Sequence, residues 1–308
     1  LQKAQPSWFL DVQSLKPQLL NNNDKINWVP KHLKKGRFKK GIEMAPDWCV
    51  SRTRYWASPM PVWQKEENGK VVERVVIGSR DELREKAVQK ITKITLLRNG
   101  EFENSELFKD KSPNALLYSA AEKVEELSGK MKFANTPVVV MNETIGSDSK
   151  HQEFIALQNK LKEQYHVDSL GDLDEKTLQD AFKDHISELQ NGFAQILREQ
   201  EGRELFVLTH AEIIVLLRHI YEGRSLKESF SLQVKPMYPM LMYFNGVELL
   251  DLHRPKIDKI TIKGETGELT RVKEVLDVWM DSASMPYASK HYPFEDKKQF
   301  EQNFPADF

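Results

Sequence analysis

The chain has 308 residues, 40% of them apolar and 30% charged, a length that accommodates about two domains, each with a core of its own. Forty-five basic residues against 46 acidic ones leave a net charge of -1, so no global positive field draws the chain to nucleic acid and any RNA contact must be local. A single cysteine, Cys49, excludes a disulfide framework and a multi-cysteine zinc site, and no apolar run approaches the roughly 18 residues of a membrane span or forms a signal peptide, so a reducing cytoplasm is expected.

Residues 1–63 are rich in tryptophan (Trp8, Trp28, Trp48, Trp56, Trp63) and in short basic clusters such as KHLKKGRFKK. The polar stretch QKEENGK at 64–70 contains Asn-Gly and reads as a hairpin turn or loop tip. From about 90 to 247 strands alternate with helices: strand candidates at 91–97, 137–141, 204–209 and 237–244, helical patterns at 115–131, 150–165, 175–199 and 211–222. Over 175–199 the residues Leu178, Ala181, Phe182, Ile186, Leu189, Phe193, Ile196 and Leu197 recur at helical spacing, one buried stripe. Such alternation predicts an α/β layer structure. After 249 the pattern of residues 1–63 returns, with DLHRPKIDKITI and EVLDVWMDSASMPYA, so a compact module is expected inside another domain's sequence. The boundaries expected are 1–88, 90–247 and 249–308. With no initiator Met, and FPADF as its last residues, the chain is expected to be a piece of a longer protein.

Three stretches combine aromatic residues with cations or acids: NWVPKHLKKGRF (27–38), DWCVSRTRYWASPMPVW (47–63) and LDVWMDSASMPYA (276–288). Trp48, Trp56 and Trp279 serve equally as core anchors or as walls of a small apolar pocket, because both uses need a large rigid apolar face. Arg52 and Arg54 are as easily solvated as bound to phosphate.

These stretches, with WFL at 8–10, IGSRDEL at 77–83, DLHRPKID and the closing FPADF, resemble the isoleucyl-tRNA synthetases over roughly 150 residues. SRTRYW together with LDVWMDSASMPYA is similar to the isoleucine-specific members rather than to the valyl or leucyl ones. The resemblance implies a Rossmann-type catalytic domain, ATP- and Mg-dependent activation of isoleucine, transfer to tRNA(Ile) in protein biosynthesis, and no membrane partner. It also implies that Trp48 and Trp279 help enclose the isoleucine side chain. A methyl-scale fit in such a pocket discriminates by only about 1–3 kcal/mol. The ATP-holding signatures of His-Ile-Gly-His and Lys-Met-Ser-Lys-Ser type are absent, so no catalytic residue is expected in this chain. Ala57 and Ala283 replace glycines of the family pattern, which could shift the backbone if those glycines take a positive φ. The family's paired zinc cysteines are replaced by QKEENGK and KGETGELTRV, so no zinc and no other metal is expected.

The segment from about 90 to 247 resembles the histidine phosphatases (phosphoglycerate mutase-like), implying a three-layer α/β domain inserted into the synthetase. LLRNGE follows the first strand, NALLYSAAEKVEELSGKM stands where the next helix would be, and FVLTHAEIIVLLRH resembles the late strand-to-helix turn. The resemblance makes Arg98, Asn99 and His210 a degenerate phosphate pocket. Asn99 stands where the phosphorylated histidine belongs, and an amide nitrogen, delocalised into its carbonyl, cannot attack phosphorus. Lys123 and Val124 occupy the place of a second arginine, and Glu143 is a weak candidate acid. The leading expectation is a non-catalytic appendage for interaction or RNA positioning. The alternatives are a sensor of a phosphorylated ligand through Arg98 and His210, and a residual phosphatase.

Overall fold

The computed structural model describes residues 7–53, 57–98, 115–118, 138–140, 148–232, 234, 240–294 and 297–304. Arg54, Trp56, Asn99, Lys123, Val124 and Glu143 lie outside the described residues. Contacts divide the chain into two compact units, Leu1–Gly78 with Leu252–Phe308, and Ser79–Asp251.

The first unit begins with β1 (Phe9–Leu10), α1 (Val12–Lys25), a π-helical turn Lys34–Phe38, α2 (Lys39–Met44), β2 (Trp48–Cys49) and β3 (Ser51–Arg52). Asp11 caps α1 by accepting from the Ser14 amide, and Lys25 in the last turn suits the negative end of the helix dipole. Next come β4 (Val62–Glu67) and β5 (Lys70–Val76), a hairpin whose turn residues Asn68 and Gly69 both take positive φ, 52° and 74°. That is the type I′ geometry whose twist matches the paired strands, as Asn-Gly predicts.

The second unit opens with α3 (Arg80–Lys86), capped by Ser79, and β6 (Ile91–Arg98). It continues through β7 (Ala115–Tyr118), β8 (Val138–Val140), α4 (Asp148–Tyr165), α5 (Glu175–Glu199), β9 (Glu204–Thr209), α6 (Ala211–Glu222), α7 (Leu226–Ser231), β10 (Met240–Asn245) and β11 (Glu248–Leu249). These strands form one six-stranded sheet in the order β11-β10-β6-β9-β7-β8. β6, β9, β7 and β8 run parallel, whereas β10 and β11 close one edge antiparallel. β6 is buried along almost its whole length, as a central strand covered on both faces is, with the polar residues Thr92, Lys93 and Thr95 buried along with its apolar ones.

One face of that sheet carries Ile94, Leu96, Leu205, Val207, Met242 and Phe244 into the main core. Phe154 of α4 and Ile214 of α6 join them there, and α5 adds Leu178, Phe182, Leu189, Phe193 and Leu197. The α5 stripe expected over 175–199 is therefore present, capped by Asp174. The opposite face of the sheet turns Lys93 and its register partner Tyr243 toward α3. Lys93 Nζ binds Asp81 at 2.8 Å and Glu204 at 3.2 Å, and the Tyr243 hydroxyl donates to Asp81 at 2.9 Å. This buried cation draws Ser79–Lys86 into the second unit, ten residues ahead of the boundary expected at 88–90.

One expectation is corrected. The helical pattern at 115–131 begins instead with a strand, since Ala115–Tyr118 pairs parallel with both β9 and β8. A short apolar run such as ALLY does not distinguish a buried strand from a buried helical turn.

The chain then returns to the first unit with β12 (Ile262–Lys263), β13 (Glu268–Arg271), β14 (Val275–Leu276), α8 (Val278–Ala283), α9 (Met285–Ala288) and α10 (Lys297–Asn303). β12-β13-β4-β5 form a four-stranded sheet, so sequences some two hundred residues apart share one ladder: Thr270 pairs with Gln64 and Arg271 with Trp63. Trp63, 2% exposed, donates its indole N–H to the Ile260 carbonyl at 2.7 Å and serves as a core anchor.

Candidate functional site

In the first unit one carboxylate contacts the Trp48 side chain and the Trp279 backbone. Asp277 is buried at the N-cap of α8. Its Oδ1 accepts from the Trp279 amide at 3.0 Å, and its Oδ2 accepts from the Trp48 indole N–H at 3.4 Å. Arg52 forms a short ion pair with the same Oδ2. β3 and β14 pair directly, Arg52 opposite Val275, which sets this geometry. The Trp279 side of α8 stays open: the residue is 69% exposed, with Val278 and Met285 exposed beside it. Trp48 is half-buried on the short ladder that β2 makes with β1. Arg52 is thus occupied by a carboxylate, a role its sequence left open.

The two stretches that stand in place of cysteine pairs also meet. Glu73 accepts from the amides of Glu265 at 2.8 Å and Thr266 at 2.7 Å and from the Thr266 hydroxyl at 2.6 Å. Lys65 Nζ donates to the Thr266 carbonyl at 2.6 Å. The Thr266 hydroxyl, then the Thr266 and Glu265 amides, hold the Glu73 carboxyl below its ordinary pKa.

In the second unit, Arg98 ends β6 and His210 follows β9, and the parallel register places Arg98 opposite Thr209. Both therefore sit at the carboxyl end of adjacent central strands, where open α/β sheets bind ligands. Arg98 gives one N–H to the Val234 carbonyl at 2.7 Å. His210 occupies the N-cap position of α6 and stacks on His151 of α4, ring centroids 3.9 Å apart and planes 8° from parallel. His151 Nδ1 forms a short hydrogen bond with Glu212, a carboxylate 8% exposed in the first turn of α6. The cavity beside them, about 30 Å³, is also lined by Lys150 and His185. Lys150 is paired with Glu188 at 3.0 Å and Glu153 at 3.5 Å, and Glu188 together with Glu153 holds its ammonium charged to higher pH than usual. Sequence reasoning missed His151 and Glu212; the acid two residues after His210 was visible, but its partner lies 61 residues earlier.

The family model for tRNA synthetases class I (I, L, M and V) matches residues 1–113 and 243–308. Isoleucine–tRNA ligase of Treponema denticola is 25% identical over 308 residues, covering 99% of this chain and 13% of the relative. The probable cytoplasmic isoleucine–tRNA ligase of Dictyostelium discoideum is 26% identical, covering 99% of this chain and 14% of the relative. The Chlamydia caviae enzyme is 46% identical over 90 residues, 29% of this chain and 8% of the relative. The chain thus spans 13% to 14% of the length of the relatives it matches over its whole extent. Among solved structures, Bacillus stearothermophilus YhfR overlaps 53% of this chain and 96% of its own at a TM-score of 0.38 and 10% identity. A phosphoglycerate mutase from Bacillus anthracis overlaps 53% and 92% at a TM-score of 0.33 and 10% identity.

Proposed function

The chain belongs to the class I tRNA synthetases of the I, L, M and V group, and we propose that it is a piece of an isoleucine–tRNA ligase whose first unit supplies part of the isoleucine pocket. The parent enzyme would use ATP and Mg to activate isoleucine and pass it to tRNA(Ile) in the cytoplasm. The observation that carries this reading is the carboxylate of Asp277, which joins the Trp48 indole, the backbone of Trp279 and Arg52. Asp277 fixes the Trp48 indole directly and the start of the helix that carries Trp279, and large rigid aromatic faces suit a small branched side chain, with the exposed Trp279 open to contact. The chain itself lacks the ATP signatures, so stabilisation of charge at the α-phosphate falls to the rest of the parent.

The second unit acts as a non-catalytic appendage in this reading. Asn99 offers no nucleophile. Glu212 argues equally against an anion sensor, because a buried carboxylate in contact with the partner of His210 repels a phosphate. The test is isoleucine-dependent exchange between ATP and pyrophosphate by the intact parent, assayed against valine, leucine and methionine. Exchange strongest with isoleucine supports the reading; exchange driven best by another amino acid, or by none, overturns it.

A further inference from the structure

We propose that His151, His210 and Glu212 form a site for one borderline divalent transition-metal ion, with zinc(II) as its reference member. Nothing in the synthetase-like part of the sequence points to this site, and the sequence alone leads to the expectation of no metal. The three side chains come from two helix starts and one strand end that the sheet brings together: His151 from the first turn of α4, His210 from the end of β9, and Glu212 from the first turn of α6. One ligand-type atom from each lies within 4.8 Å of the others, a spread that small side-chain turns reduce to a shared coordination sphere.

The chemistry of the donors selects the ion. Two imidazoles and a carboxylate suit zinc, cobalt, nickel or iron, whereas magnesium and calcium call for oxygen cages. Two histidines and one glutamate leave a fourth position for water, a ligand set known in zinc sites. Local charge favours a cation. Glu212 is 8% exposed, and a carboxylate taken so far from water needs a positive or donating partner. Among the described residues that partner is His151 Nδ1. Lys150, the nearest cation lining the cavity, is already shared between Glu188 and Glu153, so its charge is largely offset. His185 lines the same cavity, and its Nε2 is buried without a hydrogen-bond partner among the described residues, which leaves it available to a metal-bound water.

The stacking of the two rings sets a geometric condition. Imidazoles 8° from parallel at 3.9 Å hold their lone pairs in two nearly parallel, separated planes, which do not meet on one ion. Convergence needs one ring to turn about its Cβ–Cγ bond, and for histidine that torsion has a broad well. The cavity of about 30 Å³ beside the rings gives room for that turn and for one ion with a water. Cobalt or zinc binding should therefore open the stack while leaving the helices in place.

The experiment uses the full chain, freed of metal with a chelator and titrated with cobalt(II) and then zinc(II). The expected result is one equivalent bound per chain, and X-ray absorption of the zinc form with a first shell of nitrogen and oxygen only. His151→Asn and Glu212→Gln should each weaken binding at least about 10-fold, while Lys150→Met leaves it unchanged. Absence of stoichiometric binding by the folded chain overturns the proposal, as does an affinity in both variants unchanged from that of the unmodified chain. A sulfur ligand in the absorption spectrum, which would indicate Cys49, overturns it too. The absorption measurement needs no variant, so it decides even if a substituted chain fails to fold.

Discussion

Trp48 donates its indole N–H to Asp277 at 3.4 Å across 229 residues of sequence, linking the DWC stretch to the DVW stretch. Because the same carboxylate caps α8 and pairs with Arg52, replacing it removes three interactions at once. Asp277→Ala is expected to cost about 1–3 kcal/mol, the sum of a lost cap and a lost buried acceptor. Its thermal midpoint should drop accordingly. In the parent enzyme the KM for isoleucine should rise while the KM for ATP holds, a split that simple unfolding does not produce.

Lys93 and Asp81 place the edge of the second unit. Residues 79–251 expressed alone should melt cooperatively at a higher temperature than 90–247, which lacks Asp81 and the buried Leu83. Burial of one leucine contributes about 1.5–3 kcal/mol, and each kcal/mol moves the midpoint by about 2–4 °C in a domain of this size. Equal melting of the two segments would show that α3 belongs elsewhere.

Acid should weaken this same contact. Burial opposes the charge of Asp81, but the hydrogen bonds from Lys93 and Tyr243 outweigh it and hold the carboxyl below its ordinary pKa. A carboxylate lowered in the folded state stabilises fully above its unfolded pKa of about 3.9, and that contribution is lost as pH falls through the lowered value. The acid limb of the stability profile should therefore be shallower in Asp81→Asn than in the unmodified chain, at pH values below about 4. Identical acid limbs would count against the pairing.

Glu73 should hold the turn formed by residues 264–267, since it accepts from two of its amides. In Glu73→Ala the amides of Glu265 and Thr266 are expected to exchange with solvent faster, with exchange elsewhere in the unit unchanged. Unaltered protection at those two amides would contradict this.

No phosphate-ester turnover is expected from the unmodified chain, nor from Asn99→His alone. On the resemblance read from the sequence, Lys123 and Val124 stand in the place of the second arginine as well, and catalytic groups that act as a unit fail together. Turnover of a generic phosphate ester by the purified chain would refute the first statement, and turnover by the single variant the second.

Local signals made much of the fold legible. The apolar stripe of α5, the Asn-Gly turn between β4 and β5 and the dense run of β6 each state their structure within a few residues. Arg98 and His210 come from the resemblance of LLRNGE and FVLTHAEIIVLLRH to the histidine phosphatases, and the parallel pairing of β6 with β9 puts both residues at the carboxyl ends of adjacent strands. What stayed hidden depends on distant partners. Ala115–Tyr118 takes strand form through its neighbours β8 and β9, not through its own pattern. Asp81 looks like part of a solvated charged helix until Lys93 is known to be buried beneath it. The His151–Glu212 pair joins two helices whose polar residues carry no periodic mark.

Isoleucine-dependent exchange between ATP and pyrophosphate by the intact parent carrying Trp279→Ala tests the central claim most directly. If Trp279 walls the isoleucine pocket, kcat/KM for isoleucine should fall by roughly 10–200-fold, the range of a lost hydrophobic contact, with the KM for ATP little changed. Unchanged kcat/KM for isoleucine in a folded Trp279→Ala enzyme would contradict the account.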